Sequence, residues 1–378
     1  MSNSASDEDL GLIRASARDF ARDEIARMRA RAFHDGDGRI DRAQWKLLAE
    51  LGWIGLMVPE SRGGAGLELP ALAAIVEELG PAVLPEPLVC AAAFAAGIAR
   101  RGDGPAAGAL LESIAAGEVF AAVAWQEGPS DFPGAPMATR ASSGDAATID
   151  GRKCFVAHAV SADGFLTAAR AAEGVEIHWV NRSAKGVDIR IDRTADGGSV
   201  GELRFSHTPV SGATRVASAA TGAAALASAF DDAACATSAE LLGLTRRMLA
   251  TTLDYLRTRR QFGQLIGSFQ ALQHRAVDLY VQQELSAACL RDVLPGWSAN
   301  DPAQRARQAS RVKARCSEAA LTVGREAVQM HGAIGFTHEC DVGLLLKRVV
   351  VSSARHGTAA AHRARIAAAR IAETGERR

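Results

Sequence analysis

The residues that could do chemistry cluster in the last third of the chain. The string RTRRQFGQLIGSFQALQHRAVDLY, 257–280, sets Arg259 and Gln261 beside Phe262, with Gln270 following. A guanidinium and an amide supply charge and directed donors for a phosphate group, and a neighbouring ring can cover an aromatic ligand. The string QMHGAIGFTHE, 329–339, begins at Gln329 and carries Gly332, Ala333 and Gly335. Small residues there let backbone amides approach a phosphate closely. A third string, HGT, contains His356, Gly357 and Thr358. A neutral imidazole, with an ordinary pKa near ~6.5, can accept a proton. Two carboxylates upstream, Asp232 and Glu240, are the other candidate bases. Each feature also has a plainer reading. Arg257, Arg259 and Arg260 read as a solvated helix face, and Gly332 as a cap. His356 reads as a loop histidine bonded to backbone. Glu240 reads as a partner for Arg246 or Arg247, and Asp232 as a helix N-terminal charge favoured by the macrodipole.

These residues need elements to hold them, and the chain divides into three blocks. Residues 1–117 read as helices: Leu10, Ile13, Ala17, Phe20 and Ile25 fall near helical spacing, and Trp45, Leu47 and Leu48 repeat the pattern. LPALAAIVEELG reads as a further helix with Gly80 as its C-cap. Residues 118–221 change to short, partly alternating runs: VFAAVAW, GFLTAARA, VEIHWV, VDIRID and GELRFSHTPV. ATIDGRKCFV reads as a hairpin turning at Asp150-Gly151. Strands so spaced predict a small barrel or sandwich. Residues 222–378 return to long amphipathic helices joined by short loops, which predicts a bundle. The fold class expected is α+β, mostly α.

Composition narrows the function. Lys plus Arg equals Asp plus Glu, 43 each, so electrostatics make no case for nucleic acid or an anionic membrane. No run of ~20 uncharged apolar residues marks a membrane span. The acidic start, MSNSASDEDL, lacks the pattern of a secretory leader. Six scattered cysteines form no C-x-x-C pair, which argues against zinc or dithiol chemistry. Buried free thiols in a reducing cytoplasm are the expectation, with no metal.

Taken with LGWIGLMVPESRGGAGL near the start, the three strings resemble the acyl-CoA dehydrogenase family, over nearly the whole chain and in the same block order. That resemblance implies an N-terminal helical domain, a middle β-barrel domain and a C-terminal four-helix bundle. It implies FAD, an acyl-CoA substrate, electron-transfer flavoprotein as acceptor, and a partner that is either a second copy or a paralogous subunit. Residues matching Arg259 and Phe262 meet the FAD of one subunit in that family, and the segment matching 329–335 meets the FAD of its neighbour.

The pattern also departs from the family. The family's base is a Glu immediately before Gly-Thr, and here that position is His356. In a minority of relatives the Glu lies on the long helix, where the ungapped match is Ala233, beside Asp232 and on nearly the same face as Glu240, seven residues on. In the loop WQEGPSDFPG, Trp125 replaces a hydroxyl residue, and Ser130 stands near a second. In the strand that follows, Phe155 replaces a Trp and Ala157 a Thr. Phe155 can pack on a flavin but cannot donate a hydrogen bond. The leading expectation is FAD-dependent α,β-dehydrogenation with His356 or Glu240 as an unusual base. The alternatives are a catalytically silent subunit of a mixed assembly, and a flavin oxidase or monooxygenase. Small subunits of pimeloyl-CoA-type and sterol side-chain-type enzymes are most similar in these departures.

Overall fold

The computed structural model describes residues 6–375 except 23, 130 and 145. Helices come first: α1 Asp7–Ala21, α2 Glu24–Asp35, α3 Arg42–Glu50, α4 Leu69–Leu79, α5 Ala96–Arg101 and α6 Ala107–Ala115. Strands follow: β1 Ala121–Ala124, β2 Arg140–Ala141, β3 Thr148–Ala157, β4 Gly164–Arg170, β5 Val175–Asn181, β6 Val187–Arg193, β7 Ser199–Pro209 and β8 Arg215–Ala217. Then come α7 Gly222–Thr258, the two-residue strands β9 Arg260–Gln261 and β10 Gln264–Leu265, α8 Gln270–Val293, α9 Pro302–His331, α10 Asp341–Ala354 and α11 Ala359–Gly375. The chain is α+β and mostly α, 57% helical. No helix among the described residues is long and apolar enough to cross a membrane.

Two compact units result. One holds residues 32–72 and 85–233 with the first residues of α1; the other holds 10–31, 73–84 and the chain from 234 onward. In the first, a mixed eight-stranded sheet runs β6-β7-β3-β2-β4-β5-β8, with β1 added in parallel to β4. Strand β4 is buried along nearly its whole length, as an inner strand should be. Strand β6, at the end of the order, alternates half-buried apolar residues with exposed Asp188, Arg190 and Asp192. Phe230, fully buried on α7, makes T-shaped contacts with Phe94, Trp125 and Phe132, ring centroids 6.3, 5.4 and 5.3 Å apart.

Strand β3 overturns the expected hairpin at Asp150-Gly151. The strand continues through both residues, with a register shift against β7 between Ile149 and Gly151. Gly151 sits at φ +147°, and a Cβ on it would lie 2.6 Å from Thr139 Cα. The glycine therefore serves a bulge and a close backbone approach rather than a turn. The periodicity reading also passed over the helical run from Val89 to Arg101, a π-helical segment leading into α5. Residues 89–99 of that run are buried, so no polar face marked it.

In the second unit α9 is central, and α8, α10 and α11 pack on it. Its start is fixed by Asp301, whose side chain accepts from the Gln304 N–H at 2.8 Å, with Pro302 at the first helical position. Its inward stripe includes Ala309, Val312, Cys316, Ala319, Ala320 and Val323. Gly324 lets α10 and α7 approach: a Cβ there would lie 2.8 Å from Leu346 Cδ1 and 3.2 Å from Met248 Sδ. Gly80 directly follows the last residue of α4, where a cap is expected, and opens a 3-10 turn over Gly80–Ala82. A Cβ at Gly80 would lie 2.8 Å from the Glu240 carbonyl, and one at Gly243 only 2.0 Å from the Glu77 carbonyl. The two glycines let α4 and its continuation lie directly on the α7 backbone.

Candidate active site

The His356 turn joins α10 to α11. His356 and Gly357 both have left-handed backbones, at φ +55° and +91°. A histidine held there stores strain that its neighbours must offset. The imidazole is buried, and its Nδ1 lies 3.0 Å from Thr237 Oγ1 on α7. The His356 carbonyl accepts from His362 Nε2 at 2.8 Å. The Gly357 carbonyl accepts from Lys313 Nζ at 2.9 Å. Thr358 is exposed, and its hydroxyl accepts from the Ala361 N–H at 3.3 Å, at the start of α11. Burial pushes the His356 pKa well below its ordinary 6.5, and the charges of Arg355, Lys313 and His362 push the same way. The imidazole is therefore neutral at pH 7. In the tautomer whose Nδ1–H donates to Thr237, Nε2 is the basic nitrogen; in the other, the Thr237 hydroxyl donates to Nδ1.

The two carboxylates are committed to arginines. Glu240 Oε1 lies 3.0 Å from Arg348 Nε, and its Oε2 accepts from Ser352 Oγ at 3.3 Å. Both partners are on α10. The partners expected from the sequence were Arg246 and Arg247, but Arg246 pairs with Glu77 instead. Thr237 and Glu240 are three residues apart on α7, so His356 and Glu240 both engage one helix face. Asp232 is buried and bound by Arg101 at 2.6 Å and Arg100 at 3.5 Å. It lies well inside α7, which begins at Gly222, and so is not an N-terminal charge.

In the first unit, Trp125 is half-buried beyond β1, and its carbonyl accepts from Lys153 Nζ at 3.1 Å. Lys153 is fully buried and pairs with Glu127 at 2.8 Å. Burial raises the Glu127 pKa, but the Lys153 ammonium and the N–H groups of Ala138 and Thr139 outweigh it and hold the carboxyl at about 2. Sequence reasoning missed this pair, although the loop holding Glu127 had been singled out. Phe155 stands at a bulge in β3 at φ +54° with 51% of its surface exposed. Ser130 lies outside the described residues.

The hairpin after α7 is the second strained feature. Gln261 pairs with Gln264 around a turn in which Phe262 and Gly263 have φ +54° and +80°. Two positive φ values make this the kind of turn that favours Asn-Gly. Phe262 occupies the Asn position and is 90% exposed, its ring centroid 6.1 Å from that of Phe269. Arg259, Gln261, Gln270 and Gln329 are exposed, and their side chains make no hydrogen bond among the described residues. Gly332 ends α9 at φ +66° with open space around it, and Ala333 is exposed. Gly335 is buried, and a Cβ on it would lie 2.7 Å from the Val328 carbonyl. Its small size answers to helix packing. An exposed ring on a strained backbone, and a guanidinium and amides whose side chains make no hydrogen bond among the described residues, are the residue types that an aromatic ring and phosphates call for.

Known proteins resemble this chain in sequence and fold. The family description "Acyl-CoA dehydrogenase, N-terminal domain" matches residues 7–118, and "Acyl-CoA dehydrogenase, C-terminal domain" matches residues 220–371. Acyl-CoA dehydrogenase IpdE2 of Mycobacterium tuberculosis is 30% identical over 331 residues, 87% of this chain and 85% of that protein. IpdE2 of Mycolicibacterium smegmatis is 32% identical over 317 residues, 83% of this chain and 82% of that one. Among solved structures, a variant of the Tcur3481-Tcur3483 steroid ACAD superimposes with TM-score 0.87 at 29% identity, covering 98% of this chain and 99% of that one. The chain belongs to the acyl-CoA dehydrogenase family, and is an FAD-dependent oxidoreductase of that type.

Proposed function

We propose that this chain is one subunit of a heteromeric FAD-dependent acyl-CoA dehydrogenase whose α-proton base is a carboxylate of a paralogous partner. One observation carries the reading: both candidate carboxylates here are already committed. Glu240 is held by Arg348 and Asp232 by Arg100 and Arg101. A carbon acid needs a base of raised pKa, whereas burial lowers that of His356. Arg259, Gln261, Phe262 and Gln270 would hold FAD together with Gln329, Gly332, Ala333 and Thr358; in the first unit, Trp125 and Phe155 are the proposed cofactor residues. FAD, when bound, supplies the hydride acceptor. Electron-transfer flavoprotein is the proposed electron acceptor. The likeness to the Tcur3481-Tcur3483 steroid ACAD supports a mixed assembly.

The test is anaerobic. The chain is purified alone, supplied with FAD and mixed with a panel of acyl-CoA thioesters, and the oxidised-flavin absorbance is followed. The expected result is bound flavin that bleaches only when a carboxylate-bearing paralogue is co-purified. Bleaching by the isolated chain would overturn the partner reading.

The placement of His356 favours a second reading, in which the neutral imidazole takes the α-proton itself. Thr237 then fixes the tautomer that leaves Nε2 basic. Under that reading His356→Ala retains FAD and loses flavin reduction. An active His356→Ala protein would remove the histidine from the mechanism.

A further inference from the structure

The interior of the second unit contains a lysine that no role described so far uses. Lys313 lies on the inward face of α9 with no exposed surface. Its Nζ reaches three neutral groups: the Ser353 carbonyl at 3.0 Å, the Gly357 carbonyl at 2.9 Å and Ser317 Oγ at 3.2 Å. Ser353 belongs to the last turn of α10, where carbonyls lack helical partners. Gly357 is the second residue of the left-handed pair. One side chain thus ties together the two ends of the bend that carries His356. The bend is held at two more points, by His362 on the His356 carbonyl and by Thr237 on the imidazole.

We propose that Lys313 is the positioning residue of the His356 turn, bracing it from within and carrying the local positive charge so that the imidazole stays neutral and seated on Thr237. The inference goes beyond the question of which subunit supplies the base, because it concerns how the turn is held in either case.

The seat tolerates both states of the lysine. An ammonium donates to all three acceptors. A neutral amine donates to the two carbonyls and accepts from the Ser317 hydroxyl, so only that hydroxyl must rotate. Protonation therefore changes the field at the turn without breaking the brace. Burial pushes Lys313 down to about 7, so its charge is lost close to neutrality. The titratable and charged groups around it are Cys316 on α9, Glu240 on α7, Arg355 and His356 in the turn, and His362 and Arg365 on α11. Burial holds the Cys316 thiol up at about 12, so it stays uncharged. Glu240 is turned to Arg348. That leaves Lys313 and the two histidines competing for protons in one buried space, and the lysine takes the first.

The test is a proton NMR titration of the full chain labelled at histidine Cε1, with the His356 signal assigned from His356→Gln. In Lys313→Met the His356 midpoint should rise by about half a unit or more, roughly a threefold gain in proton affinity. It should remain below the ordinary value, because burial persists. Ser317→Ala, a milder change that removes the side-chain acceptor of Nζ, should move the midpoint the same way by less. It decides the matter if Lys313→Met does not fold. A His356 midpoint unmoved in the folded variants overturns the proposal. A merely structural lysine would alter thermal stability and leave that midpoint where it was.

Discussion

Glu240 on α7 and Arg348 on α10 form a nearly buried ion pair, 3.0 Å between Oε1 and Nε. Arg348 also donates to the Leu84 carbonyl, so one guanidinium links α10 both to α7 and to the segment after α4. Removing one member of such a pair strands the other's charge, which costs more than losing both.

Glu240→Ala should therefore lower unfolding free energy by about 3 kcal/mol, and the Glu240→Ala/Arg348→Met double variant should recover part of that loss. Urea denaturation of the four proteins in the cycle measures it. A fully additive result would mean that the pair contributes no coupling.

Two glycines should respond differently to alanine. At Gly243 the added Cβ meets the Glu77 carbonyl at 2.0 Å, so Gly243→Ala should cost about 3 kcal/mol or more through forced separation of α4 from α7. Gly263 has open space but φ +80°, so Gly263→Ala should cost only about 1 kcal/mol of backbone strain. Thermal melts of the pair would rank them, and an equal loss would contradict the packing account.

Phe262 should trade stability for binding. Phe262→Asn places a residue tolerant of positive φ in the turn and removes an exposed ring, so the free chain should gain about 0.5 kcal/mol. FAD affinity should fall at the same time. Melting temperature and flavin fluorescence titration read the two effects. A destabilised variant with normal FAD affinity would show that the ring serves the fold.

Acid should weaken this protein through its buried histidines. His362 titrates at 6.5 when unfolded, and burial with the nearby Lys313 charge takes it to about 3 in the folded state. Between those values the unfolded chain binds protons that the folded chain refuses. The contribution is thus intact above pH 6.5 and lost as pH falls toward 3, and His356 acts in the same direction. Lys313 works at the other end: unfolded at 10.5 and folded at about 7, it makes stability rise with pH between them. His362→Gln should flatten the acid limb of a urea-midpoint profile, and Lys313→Met the alkaline one.

The sequence made the block order readable because strands and amphipathic helices leave opposite periodicities, and β4 to β7 fall on the apolar runs that marked them. The run from Val89 to Arg101 was invisible for the converse reason: burial all round leaves no period. Asp150-Gly151 has the composition of a turn, but pairing with β7 shifts register there and the backbone of Thr139, just before β2, approaches closely, so Gly151 serves a bulge. Glu240 was singled out as a carboxylate, yet its partner lies 112 and 108 residues away at Ser352 and Arg348. Such pairings are properties of the fold, not of spacing. Lys313 did leave a trace: Ala309, Cys316 and Ala320 stand four before, three after and seven after it, which places a lysine on an apolar helix face.

The charged outer row of β6 bears on how the chain survives being made. A strand ending a sheet offers unpaired amides to any other extended chain, and long non-local pairings such as β3 with β7 leave that edge waiting while the sheet assembles. Asp188, Arg190 and Asp192 along the β6 edge make the addition of another strand electrostatically costly and wet. Charge set along an open edge in this way disfavours the strand-to-strand addition by which fibrils grow.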